Sequence, residues 1–428
     1  MTTQIRYTSP AFALLFAAAA GMAHAQGKNA MEAAPALPAN KLARAALLSG
    51  PLHKVAEPVQ VEGHLGRFVI ESKFGKFSVS GANMLAVRVN ELQAIGELQK
   101  VEKDSAFTDA LSKSAAGMAK FAAGAVSDPN KAVETVGAGV STVFGRIGYM
   151  AQSGADYVGD KAGDVAAPGA KGQSKPAPKG EPAPPSFTGD PFGYNKARRE
   201  WAQKLNIDPY TSNPVLRPLL DDASQASFAG NFAISLTLGA VMAPIQYAYS
   251  MDETVSQAVW NKPPIDLEKE NQGKLRSLGA QERTVRDLLR NRWFTPTLQT
   301  GLVARLSILG KMEGIESVVR TAAATQGEAR ARFLLESLAM LATYHQKEQK
   351  LAKIQMSNLV PVGVAADGGL VAAVAIDYGS WDADAAAFAT RKELAVKSRT
   401  LLLAGTLSDR AKQEIEKAGW TVKTDRRT

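Results

Sequence analysis

Residues 161–191 read "KAGDVAAPGAKGQSKPAPKGEPAPPSFTGDP" and hold seven prolines, with Val165 as the single branched apolar side chain. A stretch of this composition cannot bury enough surface to offset the entropy of ordering it, and proline keeps it extended. It reads as a Pro/Ala/Gly/Lys-rich linker over 161–192. The chain is therefore predicted to divide into an N-terminal module at 51–160 and a larger C-terminal part. Two halves joined this way are expected to tumble semi-independently.

The N-terminus carries one positive charge, Arg6, then the apolar run "AFALLFAAAA", then Ala23-His24-Ala25. A basic start, about ten apolar residues and an A-x-A site predict a signal peptide over 1–25, cleaved after Ala25. The run is too short to cross a hydrocarbon core, which takes about 20 residues. The expected location is periplasmic or secreted. The chain has no cysteine, so disulfides, thiol nucleophiles, sulfur-ligated metals and a lipoprotein anchor are all excluded. A low-complexity stretch follows the cleavage site, and residues 26–50 are expected to be mobile.

Without Arg6 the chain has 49 basic and 41 acidic residues. In an exported protein this balance points to anionic envelope surfaces, and export argues against nucleic acid.

After residue 50 the hydrophobic period is two. "VAEPVQVEG" (55–63), "RFVIES" (67–72) and "KFSVSG" (76–81) predict a small antiparallel meander. The period then changes: Leu85, Val89, Leu92, Ile95 and Leu98 fall in steps of three and four, which predicts a long amphipathic helix. Helices are also expected over 107–126 and 131–148.

From 193 to 355 the pattern is helical. Thr295 and Pro296 open one helix, Gly310 closes it, and Gly314 and Gly327 punctuate the next two. The last of these is expected to run through 332–354. Beyond it, over 356–428, two apolar runs flank Asp367-Gly368 as a hairpin, and strand, Ser408-capped helix and strand follow. The predicted class is mainly α with smaller β parts (α+β): a β-meander with long helices, a central helical domain and a small C-terminal α+β domain.

Motifs for chemistry are sparse. The chain has no H-E-x-x-H, G-x-S-x-G, S-x-x-K, P-loop or G-x-G-x-x-G, so no metal and no cofactor is expected. His345, with Glu348 one turn on, is the candidate catalytic pair, although the polar end of an amphipathic helix looks the same. His53 and His64 read as turn or surface positions. Asp377, Asp382 and Asp384 could gather round a cation, but helix capping by Ser380 with acids in the first turn explains them more simply. Asp221-Asp222 could serve as paired carboxylates. The densest aromatic and basic motif, 197–220, offers Arg198, Arg199, Trp201, Tyr210 and Arg217 as a binding surface, against the alternative that its aromatics pack in the core.

Two segments raise the question of membranes. Residues 131–147 combine helical spacing with many small residues, which fits close packing first and surface contact second. Residues 223–251 are free of charge and long enough to span, yet their polar residues and proline fit a buried helix as well. Together these features predict a non-enzymatic envelope adaptor or scaffold that binds partner proteins or anionic surfaces, with weak peripheral membrane contact. The alternative is a periplasmic hydrolase acting on peptidoglycan or another anionic polymer.

Overall fold

Alternation in the N-terminal module produces a six-stranded antiparallel sheet. A computed structural model describes residues 31–102, 109, 194–230 and 253–425. The expected signal peptide, the linker and the segments at 107–126 (residue 109 apart), 131–148 and 231–251 lie outside those residues. The strands are β1 (Ala36–Leu37), β2 (Ser49–Gly50), β3 (His53–Val55), β4 (Val59–Glu62), β5 (Leu65–Ser72) and β6 (Gly75–Ser80). β6 pairs along one edge of β5, while β4 and then β3 share the other. Val59, Val61, Phe68, Ile70, Phe77 and Val79 point inward.

They meet α1 (Ala82–Val101), whose Leu85, Val89, Leu92, Ile95 and Leu98 are all buried, as their spacing predicts. Residues 31–50 are not a loose tail from Met31 onward. β1 and β2 join the sheet, and Ala39, Leu42 and Leu47 enter its core. Alanine-rich composition hid three apolar anchors at spacings of three and five.

The predicted division into two halves does not hold for the core. Helices α2 (Tyr194–Lys204) and α3 (Leu216–Gly230) bring Trp201, Ile207, Leu216 and Leu220 into the same apolar cluster as Phe68 and Leu92. Both ends of the intervening segment meet α3. The Tyr194 hydroxyl donates to Asp221 at 2.6 Å, and Glu102, just past α1, acts electrostatically on Asp222. Glu102 and Tyr194, which flank residues 103–193, thus lie against neighbouring residues of α3.

Six helices follow: α4 (Glu253–Asn261), α5 (Pro264–Ser277), α6 (Glu282–Leu289), α7 (Pro296–Leu309), α8 (Ile315–Ala324) and α9 (Glu328–Lys347). Thr295 caps α7 by accepting from Leu298 N, with Pro296 in the first turn and Gly310 at its end. Helix α9 stops at Lys347, seven residues before the predicted end, and Leu351–Ser357 forms strand β7. Tyr344 O accepts from both Glu348 N and Gln349 N, which closes the helix. Asn358, at φ 54°, then turns the chain into β8 (Val360–Ala365).

The C-terminal sheet runs in the order β13 (Thr421–Lys423), β11 (Arg399–Leu403), β9 (Leu370–Val374), β8, β7. β8 and β9 form the hairpin expected around Asp367-Gly368. β9, β11 and β13 are parallel, joined through α10 (Ala383–Ala389) and the Ser408-capped α11 (Asp409–Lys417). Alternate residues face opposite ways: Val371, Ala373 and Leu402 pack with α9, while Leu370, Ala372, Leu401 and Leu403 pack with Ile415 and Trp420. Helix α9 therefore serves both the helical domain and the sheet. A short parallel pair, β10 (Tyr378–Gly379) and β12 (Thr406–Leu407), lies beyond the carboxyl ends of β9 and β11. The architecture is mixed α+β, with strands at both ends and helices between.

Candidate functional site

The polar groups of the three units converge at Asp377. It follows β9 at the carboxyl end of the strand, the place where open α/β sheets present functional side chains. Its carboxylate accepts from Gly66 N at 2.9 Å and from Ala82 N at 3.1 and 3.2 Å. The backbone N–H groups of Asp377 and Tyr378 both donate to His64 O. Gly81, at the N-cap of α1, has no side chain with which to cap the helix. Asp377 supplies that acceptor from the far end of the chain, and its charge suits the positive pole of the helix.

Two further links lie nearby. Glu32 Oε2 accepts from Trp381 N at 2.6 Å and from Ser408 Oγ at 2.5 Å. His64 Nε2 meets Asp382 Oδ2 at 3.3 Å. A cleft of about 20 Å³ opens beside Asp377, lined by Gly81, Asn83, Arg332, Phe333 and Glu336 among others. That is room for about one water molecule.

Behind the cleft runs a seam of buried charge. Arg88 pairs with Glu91 at 2.6 Å, and Glu91 also accepts from Thr211 Oγ1 and Asn213 Nδ2. Asp208 accepts from Thr297 Oγ1 at 2.6 Å and from Tyr210 N at 2.8 Å. Burial pushes its carboxyl above the usual range despite those bonds. Arg332 pairs with Glu328 at 2.8 Å. Burial opposes the charge of Arg332, but Glu328, Asp208 and Glu336 outweigh it and hold the guanidinium above its ordinary value. Each of these charges has its counter-charge or hydrogen bonds in place. Such a seam fixes one mutual arrangement of α1, the 205–215 loop, α7 and α9.

His345 and Glu348 do not form a catalytic pair. His345 is buried, and its Nδ1 accepts from Leu351 N at 3.0 Å, which joins the end of α9 to β7. Glu348 instead accepts from Lys423 Nζ at 2.6 Å. His53 bonds Leu47 O at 3.1 Å.

The predicted binding motif lies largely inside the protein. Arg198, Arg199, Trp201 and Tyr210 are buried, and Arg217 is half-buried. Arg198 donates to Pro209 O and pairs with Asp221, Arg199 donates to Trp260 O, and Trp201 Nε1 donates to Ser227 Oγ. Aromatics among arginines here cement α2 to α3 and α4.

The acidic candidates also separate. Asp382, not Ser380, caps α10 by accepting from Ala385 N, and Asp384 is exposed in the first turn. Among the described residues no group of three or more metal-ligating side chains is assembled. Asp221 is engaged by Tyr194 and Arg198, while burial and then Glu102 push Asp222 up to about 6.

Sequence reasoning missed the roles of Glu32 and Glu91. Glu32 meets Trp381 N and the Ser408 hydroxyl, and Glu91 meets Thr211 and Asn213 besides its neighbour Arg88, so the links that matter are distant in sequence and leave no local motif. No family model, no curated protein and no solved structure matches this chain.

Proposed function

We propose that this protein is an exported, non-enzymatic adaptor or scaffold of the cell envelope, which binds partner proteins or anionic envelope surfaces. One observation carries the reading: carboxylates bind the three units into one platform through backbone groups, with Asp377 on Gly66 and Ala82 as the central contact. The groups with most chemical potential, Asp377, Glu91, Asp208 and His345, are all committed to holding that platform together. Export rests on the N-terminal signal, and the preference for anionic surfaces rests on the basic balance of the chain.

Replacing 103–193 by a short Gly/Ser bridge tests the division of labour. The ends meet at Asp221-Asp222, so the shortened protein is expected to fold with its platform intact and to keep its melting temperature. Chemical cross-linking in envelope extracts should then show which partners depend on the excised segment and which on the platform. Hydrolysis of peptidoglycan by the purified full chain would overturn the non-enzymatic reading.

A further inference from the structure

Helix α6 carries Arg283, Arg286 and Arg290 at i, i+3 and i+7, with Arg290 at its C-cap. Thr284, Val285 and Leu288 are the buried face. At 100° per residue the three arginines centre on the side directly opposite, and all three are exposed. Among the described residues none of them has an ion-pair partner. Nearby acids are otherwise engaged: Glu282 pairs with Arg276 at 3.1 Å, and Glu316 with Arg320 at 3.0 Å while also accepting from Gln281 N and Thr284. Asp287 sits on the flank of the row.

Asp287 stands at helical spacing from Arg283 and Arg290, yet among the described residues it forms no ion pair with either, so the row keeps an excess of positive charge. Like charges three and four residues apart destabilise a helix. A C-terminal arginine such as Arg290 is favoured by the helix dipole, but Arg283 stands in the first turn, where a cation is disfavoured. The row continues past the helix. Arg292 is exposed and lies over the half-buried Trp293 ring at 4.6 Å from its centre. Asn291 fixes this corner: its amide donates to the carbonyls of Ala322, Ala323 and Thr325 at the end of α8, and its side-chain oxygen accepts from Trp293 N. The corner that carries Arg292 and Trp293 is therefore held in place.

We propose that Arg283, Arg286, Arg290 and Arg292, with Trp293, form the surface by which this protein docks on a phosphate-bearing lipid bilayer. The inference rests on the anionic-surface reading above and names its site. Guanidinium groups match phosphate oxygens bidentately, and a tryptophan beside cations suits the interfacial zone of a membrane. Since Val285 and Leu288 are locked in the core, contact stays at headgroup depth, electrostatic and reversible. Among the described residues no helix is long and apolar enough to cross a membrane. Residues 103–193 hold nine basic and nine acidic residues, so the excess positive charge resides elsewhere in the chain.

The test is co-sedimentation of the purified full chain with vesicles of phosphatidylcholine alone or mixed with phosphatidylglycerol. The wild type is expected to bind the mixed vesicles at low salt, to release as salt rises, and to ignore the neutral ones. R283Q/R286Q/R290Q should lose about a hundredfold in apparent affinity, with its circular dichroism unchanged. K392Q/K397Q/K412Q removes the same net charge from exposed positions of the C-terminal unit and should lose less than about threefold. Equal loss in both variants would mean that bulk charge alone acts, and would overturn the site. Undiminished binding of the arginine variant would overturn it too while leaving the anionic-surface reading intact. Wild-type binding to a soluble polyanion such as polyphosphate, but not to vesicles, would overturn the lipid assignment. Binding to neither would defeat the surface reading itself.

Discussion

The carboxylate of Asp377 caps the helix that begins at Ala82, 295 residues earlier in the chain. One oxygen also accepts from Gly66 N, so a single side chain ties the end of β9 to both β5 and α1. The geometry makes the N-terminal sheet and the C-terminal sheet depend on each other, with the helical domain between them.

Substituting Asp377 should therefore destabilise the whole protein and not one unit. Asp377→Ala leaves two buried N–H groups unsatisfied and removes a favourable charge at a helix N-terminus, a loss of about 3 kcal/mol. Asp377→Asn keeps an acceptor and should lose about half as much. Urea unfolding followed by fluorescence checks both, and amide exchange at Gly66 and Ala82 should accelerate in the alanine variant.

His345 gives a pH signature. Burial, and then Lys350, hold its pKa below the ordinary histidine value. Its Nδ1 must stay unprotonated to accept from Leu351 N. A depressed folded pKa means that this contribution is complete above about pH 6.5 and is lost as pH falls through the folded value. His345→Asn keeps an acceptor near Nδ1 without the titration. Stability measured at pH 7.5 and pH 5 should differ more in the wild type than in the variant.

Local periodicity made much of the fold legible. Helix α1 and the β8–β9 hairpin follow from spacing and from Asp367-Gly368 alone. Strand β7 was obscured because its "QKLAKI" lead-in continues the helical spacing of α9; the turn residue Asn358 was the available sign of a hairpin. The motif at 197–220 misled for a physical reason: a buried arginine with a carboxylate and carbonyl partners has the same composition as an exposed one. Conversely, the arginine row of α6 went unread, although Arg283, Arg286 and Arg290 oppose Val285 and Leu288 at helical spacing. Asp377 reads in the sequence only as a possible cation ligand, because the helix it caps begins 295 residues away.

Asp222 should move stability in the opposite sense to His345. Burial, then Glu102, raise its carboxyl to about 6 in the folded state. A raised folded pKa favours folding below the unfolded value near 4, and that gain is lost as pH rises through about 6. Asp222→Asn removes the cost of a buried charge. It should stabilise the protein by roughly 1–2 kcal/mol at pH 7.5, allowing for solvent screening, and by almost nothing at pH 4. Denaturation midpoints at the two pH values decide it; equal stabilisation at both would show that the carboxyl is not desolvated.

Two glycines separate backbone conformation from steric fit. Gly314 and Gly327 precede α8 and α9 at φ 96° and 93°, both in a region that side chains disfavour. A Cβ on Gly327 would meet nothing within 4 Å, so Gly327→Ala should lose only the conformational cost of its positive-φ, extended backbone (ψ 138°), about 1–3 kcal/mol. A Cβ on Gly314 would overlap the carbonyl of Ile354, in the strand whose N–H at Ile354 donates to Glu313 O at 2.9 Å. Gly314→Ala must push β7 away from the α7–α8 turn, so it breaks this hydrogen bond and loosens Leu351 and Ile354 from the core. Its cost should exceed that of Gly327→Ala by at least about 2 kcal/mol. Thermal unfolding of the two variants side by side measures the difference, and a cost for Gly314→Ala no greater than for Gly327→Ala would mean that β7 yields freely at this contact.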